Sequence, residues 1–218
     1  MPVIKPYSPI SKVELETIAT KMRSQVEKNR RRRLNADSIA EGIADSLELN
    51  IEWEYISADN TGKIAAMIFP TKKLIVINTN TSQLENNGFM QSTIAHEIGH
   101  WVLHINQTEV EEYIDRDDNN IRNKNLPKPF LCRKTETSQT LADREWQAQY
   151  FAGCLLMPYH KLMEARQGRD LTNWSHLYAM KDDFGVTISN LTFRLKDLGW
   201  IEVNNNSTII YPGKNLLY

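Results

Sequence analysis

The stretch Ser92–His104, "STIAHEIGHWVLH", puts three histidines and one glutamate into an otherwise mostly apolar run. Buried imidazoles and carboxylates cost free energy unless they are partnered. The run is therefore either part of a metal site or a core helix whose histidines are hydrogen-bonded. His96, Glu97, Ile98, Gly99 and His100 spell HExxH. On a helix, positions i and i+4 share a face, so His96 and His100 can aim two imidazoles at one Zn2+. Glu97 falls about 100° round the helix. There it is near the metal without being a ligand, and can take a proton from an attacking water. Gly99 carries no side chain, so another segment can approach closely. The flanking Ile94, Ala95, Trp101, Val102 and Leu103 imply a buried helix, which favours the metal reading.

A catalytic zinc takes three protein ligands and keeps one position open. His104 is eight residues from His96 and about 80° off the shared face of a straight helix. The spacing HExxHxxGxxH is absent as well. His104 is therefore expected to be a partner behind the ligands, a substrate contact or plain packing. The better source of a third ligand is the later helical stretch "LADREWQAQYFAGCLLMP", which ends at Pro158. Within it, Glu145 and Asp143 both remain candidates.

The rest of the chain supplies context. The 218 residues are 41% hydrophobic with a formal net charge of -1. That composition suits a folded protein and gives no global field for nucleic acid or anionic membrane. No apolar run approaches the ~20 residues needed to cross a bilayer, and "MPVIKPYSPI" lacks a signal-peptide core. Two cysteines, Cys132 and Cys154, without a CxxC pair point to a reducing cytoplasm.

Residues 11–28 read as a helix, with Ser11 and Glu14 as a capping box and Leu15, Ile18, Met22 and Val26 on one face. Lys28 and Arg30–Arg33 form a basic run, read as a solvated helix end. Ser38 and Glu41 announce a second helix. "NIEWEYIS" and "KIAAMIFPTKKLIVIN" read as strands, the latter two joined by a turn at Pro70–Lys72, in a small sheet expected to be mostly antiparallel. Residues 105–140 are polar and weakly periodic, and read as a long loop. From Leu171 the pattern is helix, turn at Phe184–Gly185, helix, and then a hairpin, which resembles a small winged helix. From Asp170 onward, four basic residues face five acidic ones, which argues against direct DNA binding.

The motifs "STIAHEIGHWVLH" and "DREWQAQYFAGCLLMP", with "DSIAEGIADSLELNIEW", the strand ending in Asn78 and "FGVTISNLTFRLKDLGWI", together resemble the ImmA/IrrE family of metallopeptidases over roughly residues 35–203. The resemblance implies an α+β fold. Its core is zincin-like, a small mostly antiparallel sheet packed on helices, with HExxH on an active-site helix. Residues 1–160 would form that core, and 161–218 a winged-helix-like subdomain packed on it. It also implies a gluzincin-like site with His96, His100 and Glu145 as ligands and Glu97 as acid/base.

"EWQAQ" stands where many relatives read something like "EREAN", but the glutamate is kept. With the sequence ending at Tyr218, no GAF-like sensory domain is expected. Zn2+ is the expected ion, with Mn2+ or Fe2+ as alternatives. His104, Arg144 and Tyr150 are candidates for an oxyanion donor or a supporting role. The implied partner is a protein substrate, a helix-turn-helix repressor whose cleavage switches on stress-response or mobile-element genes. The competing readings are a non-cleaving repressor-binding protein (an antirepressor or one half of a toxin–antitoxin pair) and a DNA-binding regulator with a vestigial metal site.

Overall fold

A computed structural model describes residues 2–30, 38–58, 64–81, 86–118, 130–131, 139–203 and 209–215. The first helix, α1 (Lys12–Arg30), starts where its sequence says it should. The Ser11 hydroxyl accepts from the Glu14 amide, and the Glu14 carboxylate accepts from the Ser11 amide. Leu15, Ala19 and Val26 are buried, with Ile18 and Met22 packed beside them. The basic run Arg31–Arg33 lies outside the described residues. Ser38 and Glu41 form the second capping box at the head of α2 (Ile39–Ser46).

Four strands follow: β1 (Asn50–Glu54), β2 (Ala66–Phe69), β3 (Leu74–Asn78) and β4 (Phe130–Leu131). A 3-10 turn at Pro70–Lys72 joins β2 to β3. The sheet order is β1-β3-β2-β4. The pairs β2–β3 and β2–β4 are antiparallel, but β1 and β3 run parallel, with Ile51 opposite Ile75. β3 is thus an interior strand with Ile75, Val76 and Ile77 buried, and β1 and β4 are the edges. At the end of β3, the buried Asn78 amide accepts from the amides of Ile56 and Asn80. It donates to the carbonyls of Ile56 and Ile64. The amide is thereby saturated, and it ties two loop segments to the sheet.

The helical half holds α3 (Asn87–His104), α4 (Gln107–Asp118), α5 (Gln139–Leu156), α6 (Tyr159–Ala165), α7 (Trp174–Phe184) and α8 (Ile188–Asp197). α4 corrects the expectation of a continuous loop from 105 to 140. Val110 is its buried anchor and Ile114 packs one turn on. Two apolar residues in a charged stretch are too few for a clear periodic signal. After a turn at Gly185 (φ 62°) and the cap at Thr187, the chain ends in the antiparallel hairpin β5 (Ile201–Val203) and β6 (Ile210–Pro212).

One core runs through these elements, from Leu15 through Ile98 and Phe151 to Leu195 and Ile210. Arg194, one of the four basic residues of the tail, is buried. It forms an ion pair with Glu16 of α1 and lies 5.6 Å from the Tyr150 ring centroid. Among the described residues, no helix is long and apolar enough to cross a membrane.

The start of α3 abuts the start of α8. A Cβ on Gly88 would lie 2.5 Å from the Val186 carbonyl carbon and 2.8 Å from the Thr187 amide nitrogen. Backbone atoms there cannot swing aside. Gly88→Ala is therefore expected to lower the unfolding free energy by about 1–3 kcal/mol, despite alanine's helix propensity advantage of about 1 kcal/mol. Urea denaturation checks this. A neutral or stabilised variant would show that the two helices are free to separate.

Candidate metal centre

α3 is buried over most of its circumference, because it lies between the sheet and α5. Ile94, Ala95, Ile98, Trp101 and Leu103 join the core, while Glu97, His100 and His104 are also buried. α3 and α5 meet closely where neither has bulk. A Cβ on Gly99 would lie 3.0 Å from both Cα and the carbonyl oxygen of Ala148. This contact sits between His96 and His100 on one helix and three residues beyond Glu145 on the other.

The consequence is a cluster of three donors. His96 Nε2 is 3.1 Å from His100 Nε2 and 3.2 Å from Glu145 Oε2, and His100 Nε2 is 3.3 Å from Glu145 Oε1. Ligands about 2.0–2.1 Å from a tetrahedral centre lie about 3.3–3.4 Å apart, so the cluster has nearly the edge lengths of a zinc site. Glu145 Oε1 is buried and lacks hydrogen-bond geometry to any described residue, although it faces the His100 ring. Such an electron-rich group calls for a cation. Two imidazoles and a carboxylate also form a ligand set that zinc accepts in hydrolytic sites. The residues present fit the ion.

The three donors differ in their protonation preferences. Burial pushes His100 down to about 4, against the pull of Glu145. It is therefore neutral at neutral pH and keeps a lone pair for a metal. Burial would also lower His96, but Glu145, Glu97 and Gln149 raise it above its ordinary value. Burial would raise Glu145, yet the two imidazoles hold it well below the usual carboxylate range. Of the candidates for the third position, Glu145 is the one that joins the two histidines.

The other expected residues lie elsewhere. His104 is outside the donor cluster and stands behind it: its Nδ1 is 3.0 Å from His100 Nδ1, and its Nε2 is 3.0 Å from Gln147 Oε1. Burial brings His104 down to about 4 as well. Arg144 donates to the Lys5 carbonyl at 2.8 Å and lies over the Tyr7 ring. Tyr150 stacks near Trp146 and meets Arg194 at 3.4 Å. Gln147 and the carbonyl of Ser8, which accepts from Gln147 Nε2 at 3.0 Å, were not anticipated. A backbone carbonyl leaves no sequence signal, and Gln147 is two residues from Glu145, a spacing that does not share a helix face.

A buried HExxH helix, completed by a glutamate from a second helix, marks a metallopeptidase-type centre. The family model Peptidase_M78, described as an IrrE N-terminal-like domain, matches residues 49–196. The chain belongs to this metallopeptidase family, as its motifs suggest. No curated protein sequence matches it significantly. Among solved structures, it is similar to a Mycobacterium tuberculosis transcriptional regulator, at 16% identity and a TM-score of 0.52. The match covers 89% of this chain and 53% of the regulator, so this chain spans about half of that protein's length.

If the Gly99–Ala148 contact sets the donor spacing, widening it will loosen the site. Gly99→Val is expected to destabilise the fold by about 1–3 kcal/mol and to weaken Zn2+ binding in a competition titration. A variant that binds Zn2+ as tightly as the wild type would show that the spacing is set elsewhere.

Proposed function

We propose that this protein is a zinc-dependent endopeptidase of the cytoplasm that cleaves a helix-turn-helix transcriptional repressor. The observation that carries the peptidase reading is the convergence of His96, His100 and Glu145 beside a buried Glu97. The repressor is the substrate class that resemblance to the ImmA/IrrE family implies. We take residues 1–160 as a zincin-like peptidase unit and 161–218 as a winged-helix-like subdomain packed on it. The near-neutral charge of that tail and the burial of Arg194 support a packing or protein-recognition role for it.

In this reading His96 and His100 of α3 and Glu145 of α5 hold the ion. Bound Zn2+ supplies a Lewis acid that polarises the scissile carbonyl and makes an attacking water more acidic. Glu97 accepts the water's proton and later delivers it to the leaving amine. Its place on α3 suits the task, one residue from a ligand and on a different face. The substrate chain would lie extended beside the sheet. β1 offers the edge for such strand addition, with Trp53 and Tyr55 exposed along and just beyond it. The interior strand β3 does not.

A second reading is a protein that binds a repressor without cutting it. The structural neighbour named as a transcriptional regulator keeps regulation without cleavage in view. One experiment separates the two. The protein is incubated with Zn2+ and a helix-turn-helix regulator taken from a neighbouring gene, and the products are mapped by mass spectrometry. Cleavage is expected, with Glu97→Gln keeping its zinc and losing about 10^2–10^4-fold in rate. His96→Ala and Glu145→Ala are expected to lose zinc by metal analysis. A repressor that forms a stable complex and stays intact would replace the peptidase reading with sequestration.

A further inference from the structure

The carbonyl of Ser8 can only accept a hydrogen bond, and that single fact orders a chain of groups leading into the metal centre. Gln147 reaches it at 3.0 Å, so the atom facing Ser8 is the amide NH2. Turned the other way, Gln147 would set two carbonyl oxygens against each other. The Gln147 oxygen therefore faces His104 Nε2 at 3.0 Å, and His104 must carry its proton there to donate. With its ring proton placed on Nε2, His104 presents Nδ1 as an acceptor. His100 Nδ1, 3.0 Å away, must then be the protonated partner. A neutral imidazole protonated on Nδ1 has its lone pair on Nε2. That is the atom that faces His96 and Glu145.

We propose that Gln147 and His104 are positioning residues. Together with the Ser8 carbonyl, they lock His100 in the tautomer whose Nε2 lone pair points to His96 and Glu145. Metal-binding histidines commonly donate their second N–H to a carboxylate, a backbone carbonyl or water. Here the acceptor is another histidine, whose own tautomer is set two hydrogen bonds further on by the N-terminal segment. That segment is held in place independently. Lys5 donates its amide to the His104 carbonyl at 2.8 Å and its Nζ to the Val102 carbonyl, and Arg144 donates to the Lys5 carbonyl. Ile4 bridges to Ile105. Residues 3–8 thus cross the C-terminal end of α3, which brings Ser8 to Gln147.

The proposal rests on the metal reading only in its consequence, because the tautomers themselves are a property of the metal-free protein. Long-range 1H–15N spectra of the metal-free full-length protein at neutral pH should show His100 protonated on Nδ1 and His104 on Nε2. The reverse pattern, with His100 protonated on Nε2, overturns the lock. Gln147→Met removes the acceptor and keeps the bulk. It should disturb the His100 tautomer and weaken Zn2+ binding by about 10–100-fold. Weakened Zn2+ binding in Gln147→Met with an unchanged His100 tautomer would assign Gln147 a merely structural role and overturn the proposal. A wild-type protein that takes up no Zn2+ overturns the metal reading instead, while the tautomer spectra still decide the lock.

Discussion

The close approach of Gly99 to Ala148 is the constraint from which the His96–His100–Glu145 cluster follows. Two helices that each carried a branched residue there would sit farther apart. Glu145 would then fall short of the two imidazoles. With only a hydrogen and a methyl group at the contact, the backbones come close enough for a carboxylate on α5 to reach rings on α3. Gly99 lies between the two histidines of its own helix, so the point of closest approach is also the point where the three donors meet. A glycine in mid-helix costs roughly 1 kcal/mol against alanine, and the site geometry is what that cost makes possible.

Holding α5 at that distance takes more than one contact, and the chain fixes it at both ends. Towards its N-terminal half, Arg144 and Gln147 donate to the carbonyls of Lys5 and Ser8. At its C-terminal end, Arg23 of α1 donates to the carbonyls of Leu155 and Leu156, at 2.9 and 2.6 Å. Those are unpaired carbonyls of the last turn, where a cation also meets the negative end of the helix dipole. Glu16 of α1 accepts from the Tyr159 amide just beyond and pairs with the buried Arg194 of α8. Burying such a pair is not a strong source of stability, but removing one partner is costly. Its effect is to specify how α1, α5 and α8 sit together.

These contacts divide what the sequence could reveal from what it could not. His96, Glu97 and His100 were legible because helix periodicity is local, and four residues return to the same face. The capping boxes at Ser11 and Ser38 were legible for the same reason. The choice of Glu145 over Asp143 was not local, because it depends on how α5 is rotated against α3; only the family resemblance pointed to it. The parallel pairing of β1 with β3 was hidden because strand alternation says nothing about the partner. α4 was hidden because Val110 and Ile114 are its sparse anchors. His104 lies apart from the His96–His100–Glu145 cluster, and its partner Gln147 could be found only in three dimensions.

The family match begins at residue 49, yet several groups that hold the centre lie before it. Ser8, Glu16 and Arg23 all belong to the first 30 residues. They act on α5 through hydrogen bonds to main chain and to buried polar side chains, without entering the His96–His100–Glu145 cluster. The matched segment carries the donors, HExxH and Glu145, which chemistry restricts to a few residue types. The preceding segment supplies the frame, which any sequence able to deliver a carbonyl, a carboxylate and a guanidinium to the same places could provide. A motif therefore locates the donors of such a cluster and, through Gly99, the contact that spaces them, while the frame that holds α5 in place comes from parts of the chain that the motif does not include.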